Sequence, residues 1–210
     1  MSGFAPIPLT DGFTREAEGM VVRTWAGARA KLDGGTVFGC IDRATWVTMD
    51  GDRFMLREGS WFVAPDGAEV SEGRGLAIIM PGYRGLRQFG GPLETVGRLR
   101  YIDGCTDTVL VSPPRRGEAC LNHLHIPAGT LQTSHTHPSV RVGIIARGRG
   151  VCITEGVRHA LEAGLGWVIP TGVRHAFHTA DESLDVMAWH PDSDTGPVDD
   201  DHPMINRTIV

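Results

Sequence analysis

The chain has 210 residues, 41% hydrophobic and 21% charged, with a formal net charge of −5, which is enough apolar material for one large β domain or two domains of about 100 residues. The mild acidic balance, with no Lys/Arg-rich block, excludes the electrostatic footprint of a nucleic-acid-binding protein. The opening MSGFAPIPLTDGFTREAEG has neither a basic flank nor an apolar run, and no stretch approaches the roughly 18 continuous apolar residues that cross a bilayer, so a cytoplasmic protein with no membrane partner is expected.

In chain order, short apolar runs stand between turn residues: WVTM (46–49), RFML (53–56), WFVA (61–64), LAIIM (76–80), VGIIA (142–146), GVCIT (150–154) and LDVMAWH (184–190). Each has strand length, 28 glycines and 13 prolines punctuate the chain, and no segment keeps a helical period for three turns. The pattern predicts an all-β protein. The widely spaced Cys40, Cys105, Cys120 and Cys152 form no Cys-x-x-Cys pair and are expected to be buried free thiols.

The chain also matches itself. GDRFMLREGSWFVAPDG (51–67) aligns without a gap on GVRHALEAGLGWVIPTG (156–172) at an offset of 105, half the chain length. The matching positions include Gly51/Gly156, Gly59/Gly164, Pro65/Pro170 and Gly67/Gly172, the residues that make turns. A duplicated unit follows, with an N-terminal copy over 1–85, a Gly/Pro-rich connector over 86–105 and a C-terminal copy over 106–210.

All nine histidines fall after residue 122, so imidazole chemistry is confined to the second copy. Within it, Ser-His-Thr-His (134–137) precedes Pro-Thr-Gly-Val-Arg-His (170–175). A strand would carry His135 and His137 on one face about 6–7 Å apart, close enough to share an ion. The Pro170–Gly172 turn aims His175 as a third ligand. At the equivalent positions the first copy has Ala30, Leu32 and Val70, which cannot bind a metal.

These residues resemble the cupin family. Gly129-x5-His135-x-His137 with Gly148 fits its first motif, and Gly164-x5-Pro170-x-Gly172-x2-His175 fits its second. The likeness is good over 118–190 and extends weakly, through the repeat, to 20–82. It implies a bicupin: two antiparallel β-barrel or jelly-roll units, the first a degenerate scaffold without ligands and the second with a metal in its mouth.

Arg141 stands where the family's first motif usually carries a glutamate ligand. A guanidinium cannot ligate a cation. Either it pairs with an anionic substrate that chelates the metal, or it points away from a decayed or metal-scavenging site. Gln132 is a candidate to orient substrate or oxygen. His123 and His125 repeat the His-x-His spacing on the preceding strand, but their phase is open: one residue of slip turns them into the barrel or out of it. His190 is a candidate near the mouth, and Trp167 and Trp189 are either pocket walls or core. His178 and His159 are expected to be packing residues, and the Asp-rich segment 191–203 with His202 a solvated tail, followed by strand character in MINRTIV.

What the resemblance implies is a mononuclear Fe(II) dioxygenase for a small carboxylate, aromatic or diketone-like substrate, with Zn, Mn or Ni as other metals and a homodimer as the assembly. A redox-neutral lyase or isomerase, or a non-catalytic small-molecule-binding cupin, are the other readings.

Overall fold

A computed structural model describes residues 3–115 and 117–192. Most of the acidic segment, with His202 and MINRTIV, lies outside the described residues. Among the described residues the regular structure is β throughout, apart from one short 3-10 turn. Two compact units divide the chain, Pro8–Glu94 and, for the second, Thr95–Val210 together with Met1–Ile7. The first strand, β1 (Ala5–Pro8), lies at the edge of the second unit's sheet.

The N-terminal unit holds β2 (Thr14–Ala17), β3 (Met20–Ala26), β4 (Ala30–Leu32), β5 (Thr36–Arg43), β6 (Thr45–Met49), β7 (Asp52–Leu56), β8 (Trp61–Ala64), β9 (Ala68–Ser71), β10 (Arg74–Met80) and β11 (Gln88–Gly90). Its two sheets run β11-β8-β5-β10-β3-β2 and β4-β9-β6-β7. Trp25, Leu32, Ile41, Val47, Phe62 and Val70 belong to one buried cluster, each such side chain contributing about 1.5–3 kcal/mol by leaving water.

The C-terminal unit holds β12 (Leu99–Arg100), β13 (Thr106–Val111), β14 (Cys120–Ile126), β15 (Arg141–Thr154), β16 (Val157–Glu162), β17 (Leu165–Ile169), β18 (His175–His178) and β19 (Leu184–His190). The order is β1-β17-β15-β19-β14-β13-β12, with β16 and β18 on the far part of β15. The 14-residue β15 changes partners along its length, pairing with β17 and β19 up to Gly148 and with β16 and β18 beyond. The changeover falls at a register shift between Ile145 and Arg147 and at Gly148, whose φ of +75° suits glycine.

The expected connector is not one segment. β11 pairs with β8 in the N-terminal unit and β12 with β13 in the C-terminal unit. The strand at residues 5–8 likewise departs from an N-terminal copy beginning at residue 1.

The duplication is visible in the hydrogen-bond register. In the β6–β7 hairpin, Thr45 pairs with Leu56 and Met49 with Asp52. In the β15–β16 hairpin, Gly150 pairs with Leu161 and Thr154 with Val157, 105 residues on. Both close through two residues of positive φ, Asp50-Gly51 and Glu155-Gly156, as type I′ hairpin turns require. Ala30 pairs with Val70 just as His135 pairs with His175. The four cysteines are buried and free.

Candidate metal centre

The C-terminal unit's inner face follows from strand alternation. On β14, Cys120, Asn122, Leu124 and Ile126 share a face and lie opposite His190, Ala188, Val186 and Leu184 of β19. Leu124, Ile126, Val186 and Leu184 join Ile145, Ile169 and Phe177 in one buried cluster, which marks that face as interior.

His123 and His125 occupy the other face. Both reach Asp185 Oδ1, His123 through Nε2 at 2.7 Å and His125 through Nδ1 at 2.9 Å, while Arg147 Nε donates to Oδ2 at 3.0 Å. The alternative in which they turn into the barrel to meet substrate is therefore corrected: strand phase commits them to a buried ionic cluster away from the interior. Burial alone would raise the Asp185 carboxyl, but the hydrogen bonds of the two histidines and the charge of Arg147 outweigh it and hold it below the usual value.

The other pair of histidines behaves differently. His135, His137 and His175 each present a ligand atom, all within 4.8 Å of one another, and among the described residues they form the one His/Cys/Asp/Glu group with that geometry. Ring centroids lie 4.9 Å apart for His135–His137, 4.6 Å for His135–His175 and 5.2 Å for His137–His175. His175 opens β18, but His135 and His137 are not on a regular strand as the spacing predicted. His135 makes an isolated bridge with His175, and Pro138, having no N–H, follows His137. Gly172, with φ of +72°, donates its N–H to the His137 carbonyl at 2.9 Å, tying the Pro-Thr-Gly turn to this segment.

The donor set fits a divalent transition metal. His135 Nδ1 donates to the Thr133 carbonyl at 2.8 Å and His175 Nδ1 to the Val173 carbonyl at 2.9 Å. A carbonyl only accepts, so each ring carries its proton on Nδ1 and its lone pair on Nε2, as a metal-binding imidazole does. Burial, reinforced by the neighbouring His135, pulls His175 down to about 3, and burial beside Arg141 lowers His137 as well. The rings of His137 and His175 are thus held neutral.

Arg141 lies on the interior face and does not point away. Its Nη2 is 3.2 Å from His137 Nδ1, and its Nη1 donates to Ser139 Oγ at 2.6 Å and to the carbonyls of Ser139 and Val140 at 3.1 and 3.3 Å. Burial draws its pKa down to about 10 against the opposing pull of Asp192, Cys120 and Tyr101. His190 also faces inward; its Nδ1 donates to the Asp192 carbonyl, which leaves Nε2 to accept from the Cys120 thiol at 2.9 Å.

One further assignment is corrected, and one open alternative is decided. Gln132 is buried, and its Oε1 accepts the Phe177 N–H at 3.0 Å, so it closes backbone structure rather than meeting substrate. Trp167 is core: it is 1% exposed and packs edge-on against Phe177 with centroids 5.8 Å apart. His178 and His159 take packing roles, the first against the Gln132 carbonyl and the second stacked on Phe4.

Asn122 and Asp107 carry no motif that marks them in the sequence. Asn122 Nδ2 donates to Asp107 Oδ2 at 3.0 Å, while Asp107 Oδ1 and Asn122 Oδ1 are buried without a hydrogen-bond partner. Burial raises the Asp107 carboxyl to about 6. Leu124 and Ile126, two and four residues after Asn122, hint at the phase of this strand, but the equally apolar Leu121 on the opposite stripe offsets them.

Residues 122–190 match the cupin domain model, and this segment is a cupin domain. The chain shares its fold with solved cupin structures at low identity. The salicylate 1,2-dioxygenase of Pseudaminobacter salicylatoxidans is 14% identical, with a TM-score of 0.63 over 83% of this chain and 72% of that one. A putative glyoxylate-induced protein of Pseudomonas aeruginosa is 12% identical, with a TM-score of 0.64 over 92% and 89%. A cupin 2 conserved barrel domain protein of Leptotrichia buccalis is 12% identical, with a TM-score of 0.58 over 90% and 89%. No curated protein sequence matches the chain. Among the described residues no helix is long and apolar enough to cross a membrane.

Proposed function

We propose that this protein is a metal-dependent cupin enzyme, a mononuclear non-haem Fe(II) dioxygenase for a small chelating anion, working in the cytoplasm as a homodimer. The observation that carries the reading is the convergence of three imidazoles, His135, His137 and His175, beside the inward-facing guanidinium of Arg141. Three protein ligands leave open positions, and bound iron there would supply Lewis acidity and one-electron chemistry with O₂. Arg141 binds the substrate carboxylate, for which its planar fork is suited. Leu124, Val186 and Ile145 belong to the buried apolar cluster of the same inner face, a surrounding that favours exclusion of water from reacting groups. His190 and Cys120 line the same face next to Arg141. The likeness to the salicylate dioxygenase supports this reading at the level of fold.

The test is oxygen uptake by anaerobically Fe(II)-loaded protein with salicylate, gentisate, catechol and a β-diketone. Substrate-dependent uptake that disappears in His175→Ala is expected. No uptake with any of the four removes the dioxygenase assignment, and turnover by zinc-loaded protein under nitrogen replaces it with a redox-neutral lyase or isomerase.

A further inference from the structure

The three imidazoles do not share one tautomer. His135 and His175 carry the ring proton on Nδ1, fixed by the carbonyls of Thr133 and Val173. His137 Nδ1 faces Arg141 Nη2 at 3.2 Å. A guanidinium nitrogen only donates, so this Nδ1 holds a lone pair and the neutral ring carries its proton on Nε2. The single lone pair of His137 is therefore taken up by Arg141.

A metal ligand must offer a lone pair to the ion. If His137 ligates through Nδ1, the guanidinium has to leave. If it ligates through Nε2, the ring proton moves to Nδ1 with no net gain or loss, and two N–H donors then confront each other; again the guanidinium has to leave. Charge acts in the same direction, because a divalent ion beside a buried guanidinium is repelled unless an anion lies between them. Arg141 is anchored close to its own backbone: Nη1 donates to Ser139 and Val140, the two residues that precede it.

We propose that Arg141 is a latch on His137: its release from Nδ1 accompanies metal binding and presents the same cation to a carboxylate, so that metal and anionic ligand each strengthen the binding of the other. This rests on the metal reading above and adds a regulatory coupling to it. Reciprocity is a thermodynamic requirement: whatever factor a carboxylate contributes to metal affinity, the metal contributes to carboxylate affinity.

Two measurements on chelator-treated protein test it. In the first, Co(II) affinity is measured by visible absorption for wild type and Arg141→Met, with and without benzoate. Met removes the donor and the charge, and Co(II) is expected to bind about tenfold more tightly or better; benzoate is expected to tighten binding in wild type and to do nothing in the variant. Equal or weaker binding by a folded Arg141→Met, or equal benzoate effects in both, overturns the latch while leaving the metal centre standing. Absence of Co(II) binding in both proteins overturns the metal reading and the latch together. The second measurement needs no variant: ¹⁵N ring shifts of His137 are expected to report the Nε2–H tautomer before Zn(II) is added and the loss of that tautomer afterwards. A ring already protonated on Nδ1 before metal is added overturns the proposal.

Discussion

His135 and His175 exchange both backbone hydrogen bonds, each N–H donating to the other's carbonyl at 2.9 Å. Two of the three imidazoles are thus aligned by main-chain pairing, and their own ring contacts are not needed to position them. Replacing either by alanine is expected to abolish stoichiometric Zn(II) binding, read by elemental analysis. Stability should fall by about 1 kcal/mol, a Tm change of about 2–4 °C in calorimetry. A loss of cooperative folding would show that the rings hold the bridge rather than the reverse.

Gly148 and Gly156 both have positive φ, yet they should respond differently to alanine. A Cβ on Gly148 would lie 1.8 Å from the Ser183 carbonyl oxygen, whereas one on Gly156 meets nothing within 4 Å. Gly156→Ala is expected to cost about 1 kcal/mol from backbone strain alone. Gly148→Ala adds a clash with main chain that cannot yield cheaply, and about 3 kcal/mol or more is expected. Urea midpoints of the two variants make the comparison.

Asp107 and Asp185 should give stability opposite dependences on pH. Burial raises the folded Asp107 carboxyl to about 6, above its unfolded value near 3.9, so the native state holds the proton more tightly. Its contribution is present in full below the unfolded value and is lost as pH rises from about 4 to about 6. Asp107→Asn is expected to flatten that window in thermal melts and to gain on wild type above pH 6.

Asp185 is the converse case, lowered on folding once its histidine hydrogen bonds and Arg147 have overcome burial. Its contribution is present above the unfolded carboxylate value and disappears as pH falls through the lower folded one. Asp185→Asn is expected to cost about 1–3 kcal/mol at pH 7 and much less in acid, where the wild-type carboxylate is itself protonated. A penalty independent of pH would count against this.

Gln132 offers a check on the corrected site. Its side-chain oxygen serves the Phe177 N–H, so Gln132→Ala should lower stability by about 1–2 kcal/mol. The KM of any substrate found for the protein should be unchanged, and a large rise in KM would restore the residue to the binding site.

The triad was legible in the sequence because its spacing is set by features with sequence signatures: His-x-His, the Pro170–Gly172 turn and the offset of 105 that pairs Ala30 and Val70 like His135 and His175. His123 and His125 were not placed because phase is a property of the sheet. Leu121, His123 and His125 form one stripe of β14; Cys120, Asn122, Leu124 and Ile126 form the other. Only the pairing with β19 shows which stripe meets the core. Gln132 was misread because its partner, the Phe177 N–H, is 45 residues away, and no local pattern announces a contact of that kind. The inward turn of Arg141 fell between two readings for the same reason, since the bulge in β15 is a tertiary feature.

The place of β1 beside β17 has a consequence for synthesis on the ribosome. The two segments are separated by about 155 residues of intervening chain, so β1 must wait for a strand made much later before either edge is satisfied, a long-range closure of the slow kind. A shortened protein beginning at residue 95 would retain every imidazole of the triad and still leave the outer rim of β17, whose residues are almost all buried, with unanswered amides and carbonyls. Such a fragment is disposed to stick to its own copies through that rim.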